Sequence, residues 1–204
     1  MRITEYKQEP PPIDRRSMRI MTGFLLFIVI CGAAACSKKS DADLASEALA
    51  AGLAAHQAGN LAEAAVDYHE ALVHDPNNKY AYYDLGLIDQ TNGALPSAES
   101  NYRLALSIDP QFVSALFNLA IVRHDLGDLK ESIALYRQAI KAQPDYANAH
   151  LNLGFALIEA HQDVEGNAEL KIAVQLDPSL ASRVKGVKVE PSPAASESPS
   201  ASAS

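Results

Sequence analysis

The sequence predicts an all-α fold, four helix-turn-helix units stacked as a solenoid. Three observations predict it. Proline recurs every 34 residues, as Pro76, Pro110, Pro144 and Pro178, with no insertion between copies. Alanine stands five residues before each of these prolines, at Ala71, Ala105, Ala139 and Ala173. Glycine stands 17 residues before the first three, at Gly59, Gly93 and Gly127, with His161 in the fourth place. A strict period marks copies of one small unit that buries its apolar stripe only by stacking on its neighbours.

With proline at position 32, the units run 45–78, 79–112, 113–146 and 147–180. Positions 4, 7, 8 and 11 share one helix face and predict a first helix. The Gly at position 15 separates it from a second helix, as a turn residue does. Asn60-Leu-Ala-Glu63 and Asp128-Leu-Lys-Glu131 read as N-cap boxes opening that second helix. Pro96 falls in a first helical turn, where a missing N–H costs nothing. Positions 20, 24 and 27 form the buried face of the second helix; position 24 reads Tyr68, Tyr102, Tyr136 and Leu170. Position 8 (Gly52, Gly86, Ala120, Gly154) and position 20 (Ala64, Ala98, Ser132, Gly166) are small, so paired helices approach closely, about 8–10 Å between axes. The proline ends the second helix and starts the next unit.

This pattern resembles the tetratricopeptide repeat (TPR) family over residues 45–180, in its period, turn glycines, small columns and closing proline. It departs at position 4, which carries Ala48, Tyr82, Leu116 and His150 rather than Trp, and at position 11, which lacks Tyr. The resemblance implies a right-handed α-solenoid whose first helices line a concave groove. Carried onto this sequence, the groove would present Tyr80, Tyr83, Asp84, Leu87 and Gln90, then Ser114, Phe117, Asn118, Ile121 and His124, then Asn148, Leu151, Asn152 and Phe155. Asn118 and Asn152 would hold a peptide backbone, since an amide both donates and accepts. Tyr83, Phe117 and Phe155 would hold apolar side chains. A variant of the family clamps chaperone C-terminal carboxylates with Lys and Asn at positions 5 and 9; here those places hold Leu49 and Leu53, so that clamp is not expected.

The flanks differ in kind. Arg15, Arg16 and Arg19 precede the apolar run Phe24-Leu-Leu-Phe-Ile-Val-Ile-Cys31, which leads to Gly32-Ala-Ala-Ala-Cys36 and a polar break. This order describes an export signal, and Ala33-Ala-Ala-Cys36 resembles a bacterial lipobox with Cys36 as the lipid-bearing residue. Met18 as an alternative start would make that signal compact and leave 1–17 as a misplaced start. An uncleaved transmembrane helix stays open as the competing reading, because residues 20–36 are about the shortest apolar run that spans a bilayer, and simple secretion is a third. All three place the repeats outside the cytoplasmic membrane. The expected organisation is a signal or anchor at 1–36, a linker at 37–43, repeats at 44–180, a short capping segment at 181–190 and a disordered tail at 191–204. In that tail 13 of the 14 residues from 191 are Pro, Ser or Ala.

Composition narrows the function. Net charge is −8 overall, and from residue 36 onward 12 Lys/Arg oppose 22 Asp/Glu, which argues against nucleic acid as a partner. Cys31 and Cys36 are the only cysteines, so the repeats hold no disulfide and no thiol chemistry. The six histidines form no metal-ligand spacing, and no nucleophile stands beside a base. No cofactor, metal or catalytic activity is expected. The expected function is a membrane-tethered adaptor that binds a protein segment in its groove, for instance as an envelope assembly or secretion factor. The alternative is a non-catalytic regulator of cell-wall enzymes.

Overall fold

The computed structural model describes residues 38–185. Among these, eight α-helices succeed one another in order: α1 Asp41–Gln57, α2 Leu61–His74, α3 Lys79–Thr91, α4 Leu95–Ile108, α5 Val113–Asp125, α6 Leu129–Ala142, α7 Ala147–Glu159 and α8 Asp163–Leu176. A 3-10 turn at Pro178–Ser182 closes the series. All four first helices end at position 13, and all four second helices span positions 17 to 30. Each helix packs chiefly on its partner within the unit, and each second helix then packs on the first helix of the next unit. That neighbour-only pattern makes a solenoid. The expected anchor at 1–36 and the tail at 191–204 lie outside the described residues.

The turns carry the period. Within a unit, Gly59, Gly93 and Gly127 take φ of +81°, +74° and +83°. The next residue's N–H then bonds back across the turn, Asn60 to the Ala55 carbonyl at 2.9 Å, Ala94 to Asp89 and Asp128 to Arg123 at 2.8 Å. This closure satisfies the last carbonyls of the first helix. The fourth unit makes the same bond, Gln162 to Leu157 at 2.8 Å, although His161 must adopt φ +59° to do so.

Between units, the residue before each proline leaves the helical region, with φ near −135° and ψ of 87° to 98° at Asp75, Asp109, Gln143 and Asp177. The proline ring forbids a helical predecessor. Where that residue is Asp, its carboxylate accepts the N–H two residues on, at Asn77, Gln111 and Ser179. This Asx turn explains the recurring Asp-Pro pair.

The expected caps are only partly present. Asp128 accepts the Glu131 N–H at 3.0 Å. Asn60 does not cap its helix; its amide donates to the Glu63 carboxylate instead. Asn78 caps α3 by accepting from the Tyr80 and Ala81 N–H groups, which the sequence did not announce.

The core tracks the second-helix columns. Positions 20, 24 and 27 are buried in every unit. Position 8 meets position 24 at near contact: a Cβ on Gly52 would lie 2.7 Å from the Tyr68 ring, and one on Gly86 2.6 Å from Tyr102. The first-helix face is corrected in two places. Position 11 carries Asp89 and Arg123, half-buried and polar, with Asp89 accepting from Asn101 and Arg123 held among Glu99, Asp128 and Glu131. Position 3 instead is buried, as Ala81, Ala115 and Ala149. Outward, Arg103 reaches Glu131 at 2.8 Å and Arg137 reaches Glu165 at 2.7 Å, the same pair of positions one unit apart.

Candidate functional site: the face of the first helices

Position 9 supplies one apolar side chain per unit, Leu53, Leu87, Ile121 and Phe155. Leu53 is 48% exposed and the others are half-buried. Positions 5 and 9 are one helical turn apart, so position 5 continues the same stripe.

Position 5 is tied into the scaffold more tightly than the sequence implied. The Tyr83 ring lies between Tyr102 at 5.9 Å and Phe112 at 5.1 Å. The Phe117 ring lies between Tyr136 at 5.8 Å and Tyr146 at 4.9 Å. Phe112 and Tyr146 both occupy position 34, directly before the next first helix. Leu180 is the equivalent residue of the last unit, and it sits in the 3-10 turn, buried with Leu151, Leu170 and Ala173. Leu151 is consequently 0% exposed, and its expected place on the ligand face is overturned: the closing turn covers it as an arriving unit would. Position 34 was missed because its residue type varies, Asn78, Phe112, Tyr146, Leu180; its fixed place two residues after each proline was the available signal.

Position 6 holds the polar groups. The Asn118 amide donates to the Tyr83 hydroxyl at 3.0 Å, which joins α5 to α3, and the Asn152 amide donates to the Tyr136 hydroxyl at 3.4 Å. Both are half-buried, with their carbonyl oxygens left to accept. Asp84, the equivalent in the second unit, lies beside His56 and the Tyr68 hydroxyl. Burial pushes its carboxyl from 3.8 up to about 6, partly offset by those two neighbours. At position 12, Gln90 accepts from the Tyr102 hydroxyl at 2.8 Å. His124 faces Glu159 on the next first helix at 2.8 Å, and that carboxylate raises the imidazole's affinity for its proton.

Of the remaining expected residues, Tyr80 is 52% exposed and lies edge-on to Phe112 at 5.6 Å. Asn148 is exposed and Ser114 is half-buried. Cys36 lies outside the described residues. Among the described residues no three His, Cys, Asp or Glu side chains gather as metal ligands, and no helix is long and apolar enough to cross a membrane. The face offers apolar side chains flanked by amides and carboxylates, which suits binding of a polypeptide segment.

Comparison with known proteins agrees with the fold. A tetratricopeptide repeat model matches residues 49–113 and a TPR repeat model matches residues 122–159. No curated protein matches the sequence. Among solved structures, the crystal structure of MamA is 20% identical, with 68% of this chain and 81% of that one covered at a TM-score of 0.62. MamA 41-end from Desulfovibrio magneticus RS-1 is 18% identical, covering 67% and 77% at a TM-score of 0.60. PilF from Pseudomonas aeruginosa is 22% identical, covering 69% and 64% at a TM-score of 0.62. At these identities the likeness concerns the fold.

Proposed function

Because this chain belongs to the tetratricopeptide repeat family, a protein-interaction scaffold, we propose that it works as a membrane-tethered adaptor that binds a polypeptide segment along the face of its first helices. The observation that carries the reading is the position-9 stripe. Leu53, Leu87, Ile121 and Phe155 repeat once per unit, incompletely covered, beside the Asn118 and Asn152 amides. A row of apolar side chains flanked by amides fits an extended chain that alternates side chains and backbone groups toward its receptor.

Tethering rests on the sequence around Ala33-Ala-Ala-Cys36. A lipid on Cys36 would hold the scaffold at a bilayer and raise its effective concentration toward envelope partners. An assembly or secretion role is the form this reading takes.

The test places a photo-crosslinking residue at Leu53 or Asn148, and in parallel at Val66 or Val73, which α2 exposes by 68% and 70%. The reading expects one partner to be captured in cells from Leu53 and Asn148 and not from Val66 or Val73. Capture from the α2 positions alone would move the interface to the second helices. For the tether, Cys36→Ser should remove a lipid mass and leave the precursor uncut; a membrane-bound chain indifferent to that change would favour the transmembrane helix.

A further inference from the structure

The first junction between units differs chemically from the second and third. At the first junction the position-24 tyrosine, Tyr68, stands beside His56 at position 12 of its own unit and Asp84 at position 6 of the next. At the second junction the Tyr102 hydroxyl donates to Gln90. At the third the Tyr136 hydroxyl accepts from Asn152. At the first, Tyr68 is wholly buried and its hydroxyl has no hydrogen-bond partner, lying beside Asp84 without reaching hydrogen-bond geometry. A buried hydroxyl in that condition is unusual, and it leaves Asp84 without a full hydrogen bond from its neighbour.

Asp84 is only partly compensated, by His56 and the Tyr68 hydroxyl. It is half-buried, and no Lys, Arg or His of the described residues comes within ion-pair distance of it. The groups around it are His56 from α1, Tyr68 from α2, and Tyr83 and Tyr102 from α3 and α4. Lys79, the first residue of α3, lies over the Tyr80 and Phe112 rings with its ammonium bound to Asp109. An ionised carboxylate in such a place stays costly until a cation arrives.

The whole face shares this sign. Its positions 2, 5, 6, 9, 12 and 13 carry no Lys or Arg from residue 46 to residue 159, while Asp84, Asp125 and Glu159 all lie on it. The basic residues of α4, α6 and α8 stand on second helices, and Arg123 is turned into its carboxylate cluster. On α3, Asp84 sits one turn after exposed Tyr80 and three residues before Leu87, so aromatic, carboxylate and aliphatic groups form one stripe.

We propose that Asp84, backed by the buried Tyr68 hydroxyl, forms a subsite for the basic side chain of an extended peptide, with neighbouring apolar side chains of that peptide seated on Leu53 and Leu87. This rests on the groove reading and names its ligand class. Neighbouring helix axes about 8–10 Å apart correspond to roughly three residues of extended chain. The ligand is therefore a segment with Lys or Arg and an apolar residue about three positions apart.

The test selects phage-displayed random dodecapeptides on the full-length chain in detergent, on Asp84→Asn, and on the double variant Leu87→Ser with Ile121→Ser. Asp84→Asn installs the residue that Asn118 and Asn152 already occupy in the same position, so folding is preserved. The wild type should enrich Lys and Arg at least about twofold over the unselected library. Asp84→Asn should lose that excess and still enrich apolar peptides, and the double variant should enrich neither. In fluorescence anisotropy, replacing the basic residue of the best peptide by norleucine should weaken binding about tenfold. Enrichment without basic residues, or a basic excess that survives Asp84→Asn, overturns the proposal and leaves the groove reading standing. Enrichment that is indifferent to the double variant, or no enrichment on the wild type, overturns both.

Discussion

Phe117 on α5 and Tyr146 just before α7 pack ring against ring, with centroids 4.9 Å apart and planes tilted by 54°. The contact clasps the first helix of one unit with the last residue of the same unit, directly before the next helix begins. Tyr83 and Phe112 repeat it one unit earlier, and Leu151 and Leu180 one unit later.

The clasp predicts a stability cost at both of its members. Phe117→Ala removes a half-buried ring from between Tyr136 and Tyr146 and should cost about 2–3 kcal/mol. Leu180→Ala should cost about 2 kcal/mol and loosen the last unit first, because Leu180 is the cover over Leu151. Urea unfolding measures the totals, and amide exchange in α7 and α8 locates the second effect. A Phe117→Ala protein as stable as wild type would mean that the ring belongs to the ligand face.

His161 is the one non-glycine of the described residues with positive φ, at +59°. A left-handed residue with a side chain costs about 1–2 kcal/mol, and glycine gives back part of that through its freer unfolded chain. His161→Gly should therefore stabilise by about 0.5–1 kcal/mol. An unchanged or lower melting temperature would show that the imidazole makes a compensating contact.

The opposite exchange should fail at the helix crossing. Gly86→Ala raises helix propensity by about 1 kcal/mol, yet the new methyl would stand 2.6 Å from the Tyr102 ring, which is fully buried and cannot retreat. Overpacking of that kind costs about 1–3 kcal/mol, so the variant should be less stable by about 1–2 kcal/mol net. Ala120 occupies the same place in the third unit, whose helix pair accommodates the methyl. A more stable Gly86→Ala would mean that the second unit opens as readily.

The helix bounds were legible because they depend on residues whose backbone demands are local: glycine for the positive φ at position 15, and proline for the extended residue before it. The buried tyrosines of position 24 were legible for a related reason, since a fixed column of one residue type marks a fixed environment. Position 34 was not legible, because any of Phe112, Tyr146 or Leu180 fills the same gap and only the neighbouring helix shows that a gap exists. Leu151 was misplaced on the same account: whether position 5 is open or covered depends on the segment C-terminal to its unit. Arg123 and Asp89 occupy a column expected to be apolar because charge neutralisation by Glu99, Asp128 and Glu131, and a hydrogen bond from Asn101, make half-burial tolerable there.

Asp84 predicts a pH dependence whose sign is set by its raised pKa. Burial moves its carboxyl from 3.8 to about 6, so the folded chain holds this proton more tightly than the unfolded one. The group's contribution to stability is then complete below pH 3.8 and lost as pH rises through about 6. At pH 7.5 the folded protein carries an ionised, half-buried carboxylate with no ion-pair contact among the described residues. Asp84→Asn should relieve this and raise stability by about 1 kcal/mol, a figure kept low because the side chain is partly solvated. The advantage of the variant should shrink through pH 6 and vanish near pH 4, as measured by urea midpoints across that range. An advantage that is the same at pH 4 and pH 7.5 would trace to hydrogen bonding by the amide rather than to the charge. A loss of stability at pH 7.5 would show that the ionised carboxylate is already compensated in the free protein, leaving nothing for a basic ligand to relieve.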